Sequence, residues 1–347
     1  MQFAPMPDGD ERLRDRLAES EASVAVVGCG GAGSNSVDEI ERETGLHRVA
    51  CNTDAQHLLS VDADEKVLLG PRSTRGRGAG ANEWVGEDAA SESREAIRDA
   101  VEGSDLVFVT AGMGGGTGTG SAPVVARIAR DLGAVTVAVV STPFAAEGRV
   151  RAETAERGLE RLRAAADTTI VVPNDRILGL RGELSVREAF SVSDRVLSGA
   201  VTGVARLLST SGTMNVDFAD LRTTLSGSEV AMFGLGEGGG GDAAREAVVD
   251  ALRSPVLDAD VSDASNALLT LTLGPGMSLR EADDAVEELR ARIRADAHVI
   301  WGLSIDDDAT GASASVVLTG VDSPQILGPS VPAERGRTDG GTDRSEW

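Results

Sequence analysis

Lysine is almost missing from this 347-residue chain: of its 33 basic residues only Lys66 is a lysine. Positive charge of any kind is scarce, because 56 acidic side chains leave a net charge of −23 at pH 7. That balance excludes an ordinary nucleic-acid binder, which needs a basic face to neutralise phosphates. Tyrosine is absent, and six Phe and three Trp are a poor supply for base-stacking platforms. Two cysteines, Cys29 and Cys51, are too few for a disulfide framework or a zinc site; both sit in strand-like runs and read as small buried hydrophobes. The N-terminus carries Asp8, Asp10, Glu11, Arg12 and Arg14 where a signal peptide would have an apolar core. Residues 106–126 hold no charge, but six glycines and Pro123 fall inside them, which fits a buried strand and a glycine loop better than a membrane span. An acidic, lysine-poor chain suits a cytoplasm full of salt. Molar salt shortens the screening length to about 3 Å, so a large negative charge is tolerated and keeps the chain soluble.

With 41% hydrophobic residues the chain can bury real cores, and its length predicts about two domains. Short β-branched runs at 23–29, 48–52, 66–69, 106–110, 135–140 and 168–172 alternate with helix-like stretches at 35–43, 91–101, 122–132 and 149–164. Continuous apolar strands separated by helices predict a parallel sheet covered on both faces, hence a doubly wound α/β domain over 21–184. Residues 185–208 are apolar on most sides and predict a helix about 35 Å long, buried over most of its circumference. This central connecting element is assigned to 185–211. Strand-like runs at 229–236, 264–273, 297–305 and 313–319, with amphipathic helices at 243–252 and 278–294, predict a smaller α+β domain over 212–320. Residues 1–20 read as an extension. The Pro-, Gly-, Asp- and Arg-rich residues 321–347 read as a disordered tail.

Two glycine loops carry the chemistry. The first strand runs into Gly28-Cys29-Gly30-Gly31-Ala32-Gly33, whose glycines let backbone approach a ligand and whose following helix offers free N–H groups to phosphate. Its spacing also satisfies the G-x-G-x-x-G dinucleotide fingerprint, with Asp54 about twenty residues on where a ribose-binding acid would sit. The second is Ala111-Gly112-Met113-Gly114-Gly115-Gly116-Thr117-Gly118-Thr119-Gly120, between a buried strand and a helix, a backbone cradle for a di- or triphosphate. The lysine-containing P-loop is absent.

Two phosphate cradles in one parallel sheet without a P-loop resemble the FtsZ/tubulin family, and the likeness runs from about Val24 to Gly320. The stretch 114–120 resembles that family's signature loop. Asn52-Thr53-Asp54-Ala55-Gln56 is similar to its second nucleotide loop, and residues 74–82 to its third, which faces the γ-phosphate. Pro143-Phe144-Ala145-Ala146-Glu147-Gly148 and Arg151 resemble its ribose loop. The resemblance implies a GTP or GDP site lined by Gly30, Gly31, Ala32, Asn35, Asn52, Asp54, Ala79, Gly80, Ala81, Asn82, Gly114, Gly115, Gly116, Thr117, Gly118, Glu147 and Arg151. It implies that Asn174 contacts guanine, that Phe190 stacks on the base, and that Asp194 reads the guanine N1/N2 edge. Apart from the family, Phe190 would read as core and Asp194 as a helix-surface charge.

Asn215-Val216-Asp217-Phe218-Ala219-Asp220 follows the central helix. Read locally, Asp217 is an N-cap and Asp220 an acid favoured by the helix dipole. The resemblance implies that Asn215, Asp217 and Asp220 enter the nucleotide site of the next subunit and position the attacking water. A head-to-tail contact of that kind does not close and yields an open filament. The expectation is therefore a polymerising cell-division GTPase, using GTP with Mg²⁺ and no protein metal site. Its expected partners are further copies of itself, a paralogue and a membrane adaptor, in the cytoplasm at mid-cell. A filament scaffold with weak hydrolysis and an NAD-dependent oxidoreductase are the alternatives. The chain departs from the family pattern at Glu83-Trp84, where a proline is usual, and at Ala145-Ala146, which lacks a second aromatic. His47, His57 and His298 form no cluster in the sequence and are given no role.

Overall fold

Strands β1 (Val24–Cys29), β4 (Leu106–Gly112), β5 (Val135–Thr142) and β6 (Thr168–Pro173) are buried at every position or at all but the last. Such strands are stable only in a sheet covered on both faces. In the computed structural model, which describes residues 22–178, 184–208, 214, 216–226, 230–257 and 260–321, they join β2 (His47–Asn52) and β3 (Glu65–Leu68) in a parallel sheet ordered β3-β2-β1-β4-β5-β6. The expected extension at 1–20 and the tail from 322 onward lie outside the described residues. Helices α1 (Gly30–Asp38), α2 (Ala55–Ser60), α3 (Glu83–Glu92), α4 (Arg94–Val101), α5 (Thr117–Asp131), α6 (Arg149–Ala165) and α7 (Asn174–Ile177) connect these strands. The strand order reverses between β1 and β4, and in doubly wound sheets the crevice beyond such strand ends is where ligands bind.

A capping box of Ser185 and Glu188 starts α8 (Val186–Arg206). Then follow α9 (Phe218–Leu225), β7 (Val230–Gly238), α10 (Ala243–Leu252), β8 (Asn266–Leu273), α11 (Leu279–Arg290), β9 (His298–Ile305) and β10 (Ala312–Thr319). The smaller α+β part is not a separate sheet. β7 pairs in parallel with β6 through Thr169–Val230 and Ile170–Ala231, and the sheet continues as β7-β10-β8-β9. Beneath α8, one apolar core joins Phe108 and Ile170 of the first half to Phe233, Leu268 and Val317 of the second.

Three local expectations need correction. α1 begins at Gly30 rather than 35, and α5 at Thr117 rather than 122, so residues read as loop form the first helical turns. A helix at 83–92 was not foreseen, because Gly86 and the small Ala89 and Ala90 give no apolar stripe. Finally, most of α8 from Ser193 onward is buried, with Arg195 and Arg206 exposed, but Val186 and Phe190 near its start are 76% and 42% exposed.

One buried charge was also unforeseen. Arg48 on β2 is 1% exposed; its guanidinium donates to Asp64, to Asp62 and to the Ile40 carbonyl at 3.0 Å, while Arg42 reaches the same two acids. Hydrogen bonds from Arg48 hold the Asp64 carboxyl below its usual range, and those from Arg42 and then Arg48 do the same for Asp62. Their stabilisation is thus present above the ordinary carboxylate range and lost as pH falls through the lowered values. Arg42 still pairs with both acids, so Arg48→Ala removes mainly the buried guanidinium's own hydrogen bonds and leaves the Ile40 carbonyl unsatisfied, which should lower unfolding free energy by about 2 kcal/mol. Urea melts would check this, and a change under about 0.5 kcal/mol, the range of an ordinary surface substitution, would contradict it.

Candidate functional site

The phosphate-cradle residues converge where β1 and β4 end. α1 starts directly after β1 with Cys29 as N-cap, and α5 starts at Thr117 with Gly116 as N-cap; neither cap residue supplies a side-chain hydrogen bond. Their first-turn N–H groups are left for an anion. Gly30 has φ +74°, and a Cβ there would lie 2.7 Å from the Gly118 nitrogen; a Cβ on Gly116 would lie 2.8 Å from the Asn82 nitrogen and 2.9 Å from the Ala79 Cβ. The loop at 28–33, the third loop at 74–82 and the signature loop at 114–120 therefore meet backbone to backbone. The second joins through the Thr53 and Thr117 hydroxyls, 2.6 Å apart. Gly114 N–H donates to Thr119 Oγ1 at 2.8 Å, Gly115 is half-buried, and Gly31 and Ala32 lie in the first turn of α1. In the third loop Gly80 is followed by Ala81 at φ +57°, a left-handed conformation that costs a non-glycine residue about 1 kcal/mol or more. Asn82 then caps α3, accepting from the Trp84 N–H at 3.0 Å. Cys29 is buried, and burial pushes its thiol up to about 12 despite a hydrogen bond with Ser121, so it is inert.

The residues expected at the base and sugar gather around the start of α8. Ser193 donates to Asn174 Oδ1 at 2.7 Å, fixing that amide. Phe190 meets Phe144 edge to face, with ring centroids 5.2 Å apart. Glu147 pairs with Arg151 and accepts from the Phe144 N–H at 2.9 Å. Asp194 accepts from Asn35 Nδ2 at 3.3 Å; burial pushes its carboxyl up to about 6, with the Asn35 bond opposing the shift. Asp54 lies at the second loop, but its carboxylate caps α2, accepting from Gln56 N–H at 2.9 Å and His57 N–H at 3.2 Å.

Two features of this region were missed in the sequence. His57 bridges Asn35 and Asn52, an arrangement that no sequence spacing announces. Glu83, at the family's proline position, is 4% exposed and accepts from Arg157 at 2.9 Å and Arg161 at 2.8 Å; Arg161 also stacks over Trp84 at 4.7 Å. This pairing ties the helix behind the third loop to α6.

Of the expected acid-loop residues, Asp217 and Asp220 are not brought to the cradle. Asp217 caps α9 through the Ala219 N–H at 2.9 Å, and Asp220 sits exposed in its first turn. Asn215 lies outside the described residues. The loop is held to the last strand of the sheet by paired Met214–Leu303 backbone bonds, and Val216 N–H donates to the Leu207 carbonyl at 3.0 Å just past α8. The stretch of α8 beyond Asp194 and Phe190, about 18 to 24 Å of helix, separates these two residues from the acids. Among the described residues no group of three or more His, Cys, Asp or Glu is placed to hold a metal ion, and no helix is long and apolar enough to cross a membrane.

Comparison with known proteins gives a consistent result. Residues 23–182 match the Tubulin/FtsZ family GTPase domain, and residues 229–322 match the FtsZ family C-terminal domain. The chain is 56% identical over 329 residues to cell division protein FtsZ 1 of Halobacterium salinarum, covering 94% of this chain and 83% of that one. It is 54% identical to cell division protein FtsZ of Haloferax mediterranei, covering 92% and 85%. An FtsZ dimer structure from M. jannaschii superposes with TM-score 0.86 at 43% identity, covering 91% of this chain and 93% of that one.

If Asp194 accepts from two guanine N–H groups, as the family resemblance implies, its carboxylate must be ionised to do so. With Asp194 near 6, affinity for GDP should be steady above pH 7 and fall at least severalfold between pH 6.5 and 5. Equilibrium binding across that range, repeated on Asp194→Asn, checks it. The variant should lack the step, and a step retained in it would contradict the assignment.

Proposed function

The chain belongs to the FtsZ family and is a GTPase of the cell-division, filament-forming type; from that premise we propose how its own residues carry out the reaction. GTP is the substrate. The first-turn N–H groups of α1 and α5, with Gly30, Gly31, Ala32 and Gly114 to Gly118, hold the phosphates. Ala79 to Asn82 face the γ-phosphate, Asn52 and Asp54 close the second side, and Glu147 with Arg151 meets the ribose. Asn174, Phe190 and Asp194 recognise guanine, with Asn35 beside them. Mg²⁺ would enter with the nucleotide, where it would supply charge neutralisation at the phosphates. The donors around the cradle are hydroxyls and backbone groups, which suits an ion held mainly by phosphate oxygens and water.

The observation that carries this reading is the separation along α8. The cradle lies at one end and Asp217 and Asp220 at the other, so one chain holds two halves of a site facing opposite ways. A second copy stacked head to tail supplies the acids, with Asn215, to the first copy's γ-phosphate. There the carboxylates accept hydrogen bonds from the attacking water as its oxygen bonds to phosphorus and the bond to GDP breaks. Catalysis is then mostly positioning and charge stabilisation. In this scheme 21–184 bind nucleotide, 185–211 connect, and 212–320 deliver the acids. A paralogue and a membrane adaptor are the further partners, and the site of action is the cytoplasm at mid-cell. The −23 charge suits assembly in molar salt, as the haloarchaeal relatives suggest. The family assignment displaces the nicotinamide reading.

Asp217→Asn keeps an N-cap while removing the charge, so it should fold normally, bind GTP as the parent does, and lose about 10²-fold or more in turnover. Asp217→Ala should lose the same turnover and about 1 kcal/mol of stability besides. Phosphate release and GTP binding measured side by side decide it, and unchanged release in the Asn variant would refute the role.

A further inference from the structure

His57 stands between two amides of the nucleotide site, and the hydrogen bonds around it run in one direction. Asn52 Oδ1 accepts from the Asp54 N–H at 3.1 Å, which turns its amide nitrogen toward His57 Nδ1 at 3.2 Å. An amide nitrogen can only donate, so Nδ1 accepts and the imidazole proton resides on Nε2. Nε2 lies 3.0 Å from Asn35 Oδ1 and donates to it. That bond fixes the Asn35 amide the other way round, with Nδ2 donating to Asp194 Oδ2 at 3.3 Å. Asn52 is buried, while Asn35, His57 and Asp194 are half-buried, so the arrangement is sheltered without being sealed from a ligand.

We infer that His57 is a positioning residue for guanine recognition: in its Nε2–H form it locks the Asn35 amide, and through it the Asp194 carboxylate that faces the base. The inference rests on the proposed role of Asp194. Without His57 the Asn35 amide can turn over and present its oxygen to a carboxylate oxygen, a repulsive pair that rotates Asp194 away from its two-point contact. The polarity starts at the Asp54 backbone N–H within the second nucleotide loop, so that loop and the base reader are set by one chain of bonds.

The test compares GTP with ITP, which lacks the 2-amino group, by competition against a ribose-labelled GDP at pH 7.5. The parent should prefer GTP. His57→Ala should cut the GTP-over-ITP ratio by roughly three- to tenfold, the scale of one hydrogen bond. His57→Gln, whose amide can still donate to Asn35, should restore most of it. Parent preference with an unchanged ratio in folded His57→Ala, or no recovery in His57→Gln, would overturn the relay and leave the guanine assignment standing. A parent without preference would remove the guanine assignment and the relay together. If His57→Ala does not fold, ¹⁵N spectra of the parent decide. The His57 signal, identified by its loss in His57→Gln, should show protonated Nε2 and bare Nδ1, and the opposite tautomer would overturn the inference.

Discussion

Backbone-to-backbone contact between the glycine loops at the ends of β1 and β4 is the constraint on which the rest of the site depends. Gly30 against Gly118, and Gly116 against Asn82, leave no room for a Cβ, and the contacts bring three chain segments into one cradle. Because α1 and α5 begin inside those loops without side-chain caps, their free N–H groups face the place where the segments meet. The left-handed Ala81 is held in place by the same packing, between Ala79 and an Asn82 whose side chain caps α3. Behind it, the buried Glu83 and its two arginines join α3 to α6. A proline there could not make that bridge, so this chain secures its third loop by charge pairing.

The second organising element is α8. Its start carries Phe190, Ser193 and Asp194, which meet Phe144, Asn174 and Asn35, and its far end leads to the acid loop that Met214 pins to Leu303. The core beneath it is shared by both halves of one continuous sheet. The proposed nucleotide site and the acid loop are thus attached to one core and one continuous sheet, towards opposite ends of α8. In the proposed head-to-tail filament, each acid loop would meet the next cradle without requiring the chain to bend.

Much of the fold was legible because its strands are buried on both faces and its connecting helices are charged, a contrast that survives in any window of sequence. The glycine loops were legible as tight strand-to-helix connections, and Asp217 as a cap. What was misplaced follows from short-range physics: glycines at 30 and 118 read as loop, although they form the first turns of helices whose N-termini serve the site. The helix at 83–92 lacks an apolar stripe because Gly86 packs almost directly on the Gly116 carbonyl. Arg48 looked like an ordinary strand residue, since its partners Asp62 and Asp64 lie beyond α2, fourteen and sixteen residues on. His57 could not be read at all, because its meaning lies in two amides five and twenty-two residues away.

The central claim is that one chain holds only half of the hydrolytic site at each end. The most direct test is phosphate release from GTP per subunit against protein concentration, in molar KCl with Mg²⁺. The account predicts a negligible rate when dilute and a rise above a critical concentration, where neighbours supply Asp217 and Asp220. A rate per subunit that is nonzero and independent of concentration would mean that a lone chain holds the whole site, and would contradict it. GTP bound with no release at any concentration would contradict it too, leaving a scaffold that assembles without hydrolysis.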